Sequence, residues 1–348
     1  MLASSFVLLA PSLLGQFVYV ANGGGSNNVS AYKIGLNGSL AAVSGSPFAA
    51  GNLPSSVVVD PKGEFVYVVN ESSSDISGYK IASSGALIPV PGSPFPAGSD
   101  PHQMVIVAAA KFAYVVNAVD NNVSAFRINA DGSLTPIPGS PFNAGSFPRS
   151  LAVDSGDKFI FVANEVGNNV SVYRINSDGG LTPIPGSPFG TGIGPFAVGV
   201  DHTSKFVYVV NEGGNSVSAY QVNSDGTLIG IRGSPFPTGT EPVSVTVHPG
   251  GKFCYVTNQV GNSVSAYRIG SDGALASIPG SPFRAGVEPV SVAVEPAGRF
   301  VYVANKFSYN VSGYLVDENG ALTPMPDAPF PAGFGPDSVA IASILSAK

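Results

Sequence analysis

The chain has 348 residues, 43 of them Gly and 30 Pro, with charged residues at only 11% and a formal net charge of −6. Such a chain lacks the clustered Lys and Arg that nucleic acid or an anionic membrane surface requires of a partner. Its 44% apolar fraction is interrupted by Gly and Pro every few residues, which excludes long helices and any membrane-spanning apolar run and points to short strands joined by turns.

In chain order, the first stretch is "MLASSFVLLAPSLLG", residues 1–15. No Lys or Arg precedes its apolar run, as a secretory signal would require. "SSFVLLAP" (4–11) aligns with "PSSVVVDP" (54–61), so residues 1–15 read as a degenerate extra strand, with a vestigial signal as the alternative. From residue 16 onward a tetrad of the YVAN type recurs. Its Asn falls at 22, 70, 117, 164, 211, 258 and 305, spaced by 48 once and then by 47 five times. A period of this length made of short strands denotes a propeller.

The copy that begins at Pro148 shows four strand-like runs: "SLAVD" (150–154), "FIFVAN" (159–164), "NVSVYRI" (169–175) and the Pro-broken "LTPIPGSPF" (181–189). Turns rich in Gly, Asn and Asp separate them. Prolines confined to the fourth run suit an outer edge strand, which need not donate a full ladder. The predicted fold is all-β, a single domain over residues 1–348. It is a seven-bladed β-propeller of four-stranded antiparallel blades, with repeats of about 47 residues from 16 to 343. The first strand occurs eight times and the others seven. The last copy, "DSVAIAS" (337–343), fits the pattern better than the N-terminal one and is expected to close the ring by completing the blade begun at Gln16.

Residues present in every copy are expected to pack. The tetrad Asn should bond the backbone of the turn it opens, and Tyr32, Tyr79, Phe126, Tyr173, Tyr220, Tyr267 and Tyr314 should fill the space between sheets. Cys254, the lone cysteine, allows no intramolecular disulfide and reads as an inert core residue.

Function must therefore lie where copies differ. Two slots per copy meet at one mouth of a propeller's central channel. The slot after the Pro holds Ser55, His102, Arg149, Phe196, Val243, Val290 and Asp337; the slot after the Asn holds Gly23, Glu71, Ala118, Glu165, Glu212, Gln259 and Lys306. Asp100, Glu241 and Glu288 precede their prolines on the same face. In a chain so poor in charge, this concentration marks a candidate site. His202 and His248 fall in turns of the opposite face and are expected to be exposed. Zinc-type His/Cys spacing, an EF-hand loop, a GxSxG elbow and a phosphate loop in its strand-to-helix context are all missing from the sequence. No metal ligand set and no cofactor are assigned, although the acidic mouth leaves open a divalent cation.

The copies resemble YVTN-type repeats and, more closely, the seven-bladed lactonase family, which includes 6-phosphogluconolactonases and a carboxymuconate cycloisomerase. The narrower match is Pro101-His102, Pro148-Arg149 and Asn164-Glu165, in the family's order on successive blades. Two positions depart from it: Ser150 stands where the family has His, and Glu212 where it tends to have Arg. The second departure points away from anionic substrates. The resemblance implies a lactone hydrolase, a carboxylic ester hydrolase that takes a small-molecule lactone. Its catalytic residues would be His102, Arg149 and Glu165, and Glu71, Asp100, Glu212 and Lys306 would touch substrate. Arg149 would hold the carbonyl oxygen and His102 would accept the proton of water. Glu165, its electron pairs engaged by a guanidinium, would orient Arg149. The alternative is a non-catalytic binding module for a protein, glycan or cell-envelope partner. A monomer is expected, and the compartment stays open between cytoplasmic and exported.

Overall fold

A computed structural model describes residues 13–109 and 111–345. The extra strand or signal remnant expected over residues 1–12 lies outside them. Seven antiparallel sheets make a propeller, and no helix occurs among the described residues. In the sheet that carries Arg149, the order from channel to rim is Pro148–Val153, Phe159–Asn164, Asn169–Ile175 and an outer strand in two short pieces, Leu181–Pro183 and Phe189–Gly190. The break falls at the Gly-Ser-Pro turn, where proline cannot donate to a ladder. Ring closure follows the sequence expectation. The C-terminal strand Pro336–Leu345 pairs along Leu13–Asn22 and becomes the innermost strand of the blade that the N-terminal part of the chain completes.

The second strands are the buried centre of each blade. Tyr19, Tyr67, Tyr114, Phe161, Tyr208, Tyr255 and Tyr302 are fully enclosed, in seams shared by adjacent blades. Each tyrosine among them that reaches across also satisfies its hydroxyl. Tyr114 donates to Gly179 O of the next blade at 2.8 Å, and Tyr302 does the same to Gly38 O at 2.7 Å across the ring closure. The third-strand aromatics do fill inter-sheet space, and the hydroxyls of the tyrosines among them bond the outer strand of the preceding blade, as Tyr173 does with Asn143 O at 2.7 Å. Such groups combine a large apolar payload with one polar handle that must be satisfied when buried. Cys254 is fully buried in a seam, and burial pushes its thiol up to about 12.

Two expectations need correction. The tetrad Asn does not mainly serve the turn it opens: Asn164 donates to Ser171 Oγ and Asn169 Oδ1 on the third strand, and its Oδ1 accepts from Gly145 N. It therefore latches the loop that enters its blade. His248 is half-buried rather than exposed; its Nε2 lies 2.9 Å from Gly298 O and its ring stacks edge-on against Phe253. His202 is exposed.

Candidate functional site

The pairing register of the inner strands builds the site. Pro148 pairs with Asn164 and Ser150 with Ala163, so Arg149 is an extra residue in a β-bulge. The same skip makes His102 the bulged residue between Pro101 and Gln103, and likewise Ser55, Phe196, Val243, Val290 and Asp337 in their strands. A bulge breaks the alternation of the pleat and re-aims a side chain. Here seven of them place one variable residue per blade on the mouth.

The residue before the proline is strained as well wherever it is not Gly194 or Gly335. Asp100, Phe147, Glu241 and Glu288 have φ between 51° and 57°, a left-handed region that non-glycine residues enter at a cost of about 1 kcal/mol or more. Backbone contacts hold them there: Phe147 N donates to Asn121 Oδ1 at 2.7 Å, and Phe147 O accepts from Glu165 N at 2.9 Å. The loops carrying Arg149 and Glu165 are thereby tied together.

Arg149 donates through Nε to Glu165 Oε2 at 2.5 Å, and its NH1 lies 2.5 Å from His102 Nε2. The guanidinium also packs over the rings of Phe147 and Phe196, at 4.6 and 5.3 Å to their centroids. Five donors in a rigid fork, with two directions already engaged, leave the remaining N–H groups for a ligand. His102 also faces two carboxylates: Nε2 is 3.4 Å from Asp100 Oδ2 and Nδ1 is 3.7 Å from Glu71 Oε2.

This crowding separates the protonation states of neighbours. Burial, then the Arg149 charge, lowers His102 to about 4, so its imidazole is neutral at pH 7. Burial, then the Asp100 charge, raises Glu71 to about 7. Burial, with Glu165 and Glu241 adding to it, also pushes the Glu212 carboxyl up. Across the mouth Lys306 Nζ pairs with Asp337 Oδ1 at 2.7 Å, and burial raises that carboxyl although the ammonium opposes it.

The mouth opens into a cavity of about 320 Å³ whose wall includes Glu71, His102, Arg149 and Lys306. Of the other residues singled out from sequence, Glu165 and Asp100 contact Arg149 and His102 without forming that wall. Glu212 is neither on the wall nor in an ion pair among the described residues. The roles assigned from sequence missed Phe196, which packs on Arg149, and Asp337, the partner of Lys306; both occupy the post-proline slot that signals a mouth position. Ser150, in place of the family His, is buried and its Oγ accepts from Val198 N at 3.1 Å, linking its inner strand to the next. Ser244, Ser291 and Ser338 make the same link, so the slot is architectural in this chain.

Ligand atoms of Glu71, Asp100 and His102 lie within 4.8 Å of one another, a spacing a metal ion could span. The Arg149 guanidinium already sits against His102 Nε2, where it competes with any cation.

A family model described as "Lactonase, 7-bladed beta-propeller" matches residues 9–99, 93–187 and 178–333. No curated protein sequence matches the chain. Among solved structures, a candidate 6-phosphogluconolactonase of Bacteroides fragilis superimposes with a TM-score of 0.83 at 19% identity, over 96% of this chain and 100% of that one. The periplasmic gluconolactonase of Pseudomonas aeruginosa gives 0.80 at 20% identity, also over 96% and 100%. At these identities the likeness is one of fold.

Proposed function

The chain belongs to the seven-bladed β-propeller lactonase family, and from that premise we propose that it hydrolyses a lactone at the channel mouth. The observation that carries this reading is the cluster at the mouth: the Arg149 guanidinium, held by Glu165, lies against His102 Nε2, and Glu71 stands 3.7 Å from His102 Nδ1, with burial lowering His102 and raising Glu71. Two neighbouring groups whose environments drive their proton affinities apart are suited to act as base and acid near neutrality.

In this mechanism the lactone carbonyl oxygen accepts from Arg149, whose guanidinium is held by Glu165 and by the rings of Phe147 and Phe196. As NH1 turns to the carbonyl, the His102 Nε2 electron pair is released to take a proton from water. The water oxygen bonds the carbonyl carbon, and Arg149 stabilises the oxyanion that forms. Collapse of that intermediate breaks the ring C–O bond, and the departing alkoxide takes the proton of Glu71. The imidazolium then gives its Nδ1 proton to Glu71 across the 3.7 Å gap to Oε2, solvent water takes the proton from Nε2 and returns one to Nδ1, both groups are reset, and the hydroxy acid leaves. Glu165, Asp100, Glu212 and Lys306 act on this view through charge and position. Acid release from a panel of neutral lactones tests the reading. Turnover by wild type that falls at least a hundredfold in His102→Ala supports it; equal release by both proteins overturns it.

A further inference from the structure

The bulged residues are unevenly distributed around the mouth. His102 and Arg149 stand on consecutive blades, and the next three blades present Phe196, Val243 and Val290. All five residues line the same cavity. One arc of the wall therefore carries the reacting groups, and in the arc beside it all three bulged residues are apolar, with Ser244, Gln259 and Ser291 between them.

The blade of Val290 also exposes aromatics. Lys306 is on the cavity wall, and the loop it begins carries Phe307 and Tyr309, which are 54% and 44% exposed. The Tyr309 ring stacks edge-on against Phe334, itself 61% exposed, at 5.1 Å. Solvent-facing aromatics grouped beside a cavity mouth mark a surface that receives an apolar ligand.

Resting on the lactonase reading, we propose that the substrate is a lactone bearing an alkyl or aryl substituent. Its ring faces Arg149 and its substituent lies along Phe196, Val243 and Val290 toward Phe307 and Tyr309. A polyhydroxylated sugar lactone would turn hydroxyls against Phe196, Val243 and Val290, which neither accept nor donate, while the polar groups of that arc are already engaged, Ser244 and Ser291 with Val292 N and Val339 N and Gln259 with Glu288. This class differs from the sugar lactones in the names of the structural neighbours.

The test is a series of lactones of one ring size with alkyl chains of one to eight carbons, assayed beside glucono-δ-lactone, with wild type and Val290→Thr. This near-isosteric change adds a hydroxyl to the arc, and its thermal melting is checked against wild type. The expected result is a kcat/KM that rises about two- to fourfold per methylene over the first few carbons, with a flattened slope in Val290→Thr. A flat series, or faster turnover of glucono-δ-lactone, overturns the proposal and leaves the hydrolase reading intact. If wild type turns over no lactone, the hydrolase reading fails, and calorimetry with the matching alkyl lactams decides the proposal alone. Affinity that grows with chain length and weakens in Val290→Thr sustains it; affinity independent of chain length overturns it.

Discussion

Arg149 bulges just inside the Pro148–Asn164 pair that ends their hairpin and Glu165 follows just outside it, and their side chains meet Nε to Oε2 at 2.5 Å. The bulge turns Arg149 toward the cavity, and the bond from Glu165 N to Phe147 O fixes the second loop. Glu165 thus sets the direction of a guanidinium whose other N–H groups face a substrate. Glu165→Gln keeps the acceptor oxygen and loses the charge. It should lower kcat/KM roughly 10- to 100-fold by loosening that aim, mainly through kcat. Steady-state kinetics on the preferred lactone check this.

The opposed titrations of His102 and Glu71 dictate a bell. Hydrolysis needs His102 neutral, so kcat/KM should rise through pH about 4. It also needs Glu71 protonated, so kcat/KM should fall through pH about 7. Glu71→Gln should be slower throughout and lose the descending limb. A pH–rate profile of both proteins is the check.

The same carboxyl affects stability. Glu71 holds its proton more tightly folded than unfolded, so its stabilising contribution is complete below its ordinary value of 4.5 and is lost as pH rises through about 7. Glu71→Gln should therefore melt about 1–2 °C above wild type at pH 8 and level with it at pH 4. Thermal melts at the two pH values give the sign.

Competition between Arg149 and a cation for His102 is also testable. Adding calcium or zinc to the wild-type protein should leave its melting temperature unchanged, because the guanidinium lies against Nε2. A rise that grows with cation concentration would instead make Glu71, Asp100 and His102 a metal site, by mass action on the native state.

The architecture could be read because it repeats. A tetrad Asn every 47 residues implies one blade per copy, and the better fit of residues 337–343 anticipated the closure seen between Leu13–Asn22 and Pro336–Leu345. His102, Arg149 and Glu165 stood out as interruptions of that repetition, and they do meet. What stayed hidden depends on register and distance. Whether the residue after each proline joins the ladder or bulges from it is decided by pairing with the neighbouring strand, which no single run of residues encodes. Glu71 stood out from sequence only as a substrate contact, and its raised proton affinity comes from burial and from Asp100, which are visible only in the fold. The tetrad Asn was misread because its partners, such as Gly145 and Ser171, come from two other segments.

Arg149 is the group proposed to stabilise the oxyanion. The most direct measurement is kcat and KM for wild type, Arg149→Lys and Arg149→Ala on the best lactone substrate. Arg149→Ala should lose about 10²- to 10³-fold in kcat. Arg149→Lys should recover only a small part of that, because an ammonium cannot reproduce the fork held by Glu165 and His102. Arg149→Ala turning over at the wild-type kcat would contradict the account and leave the Arg149–Glu165 pair a structural bridge across the channel mouth.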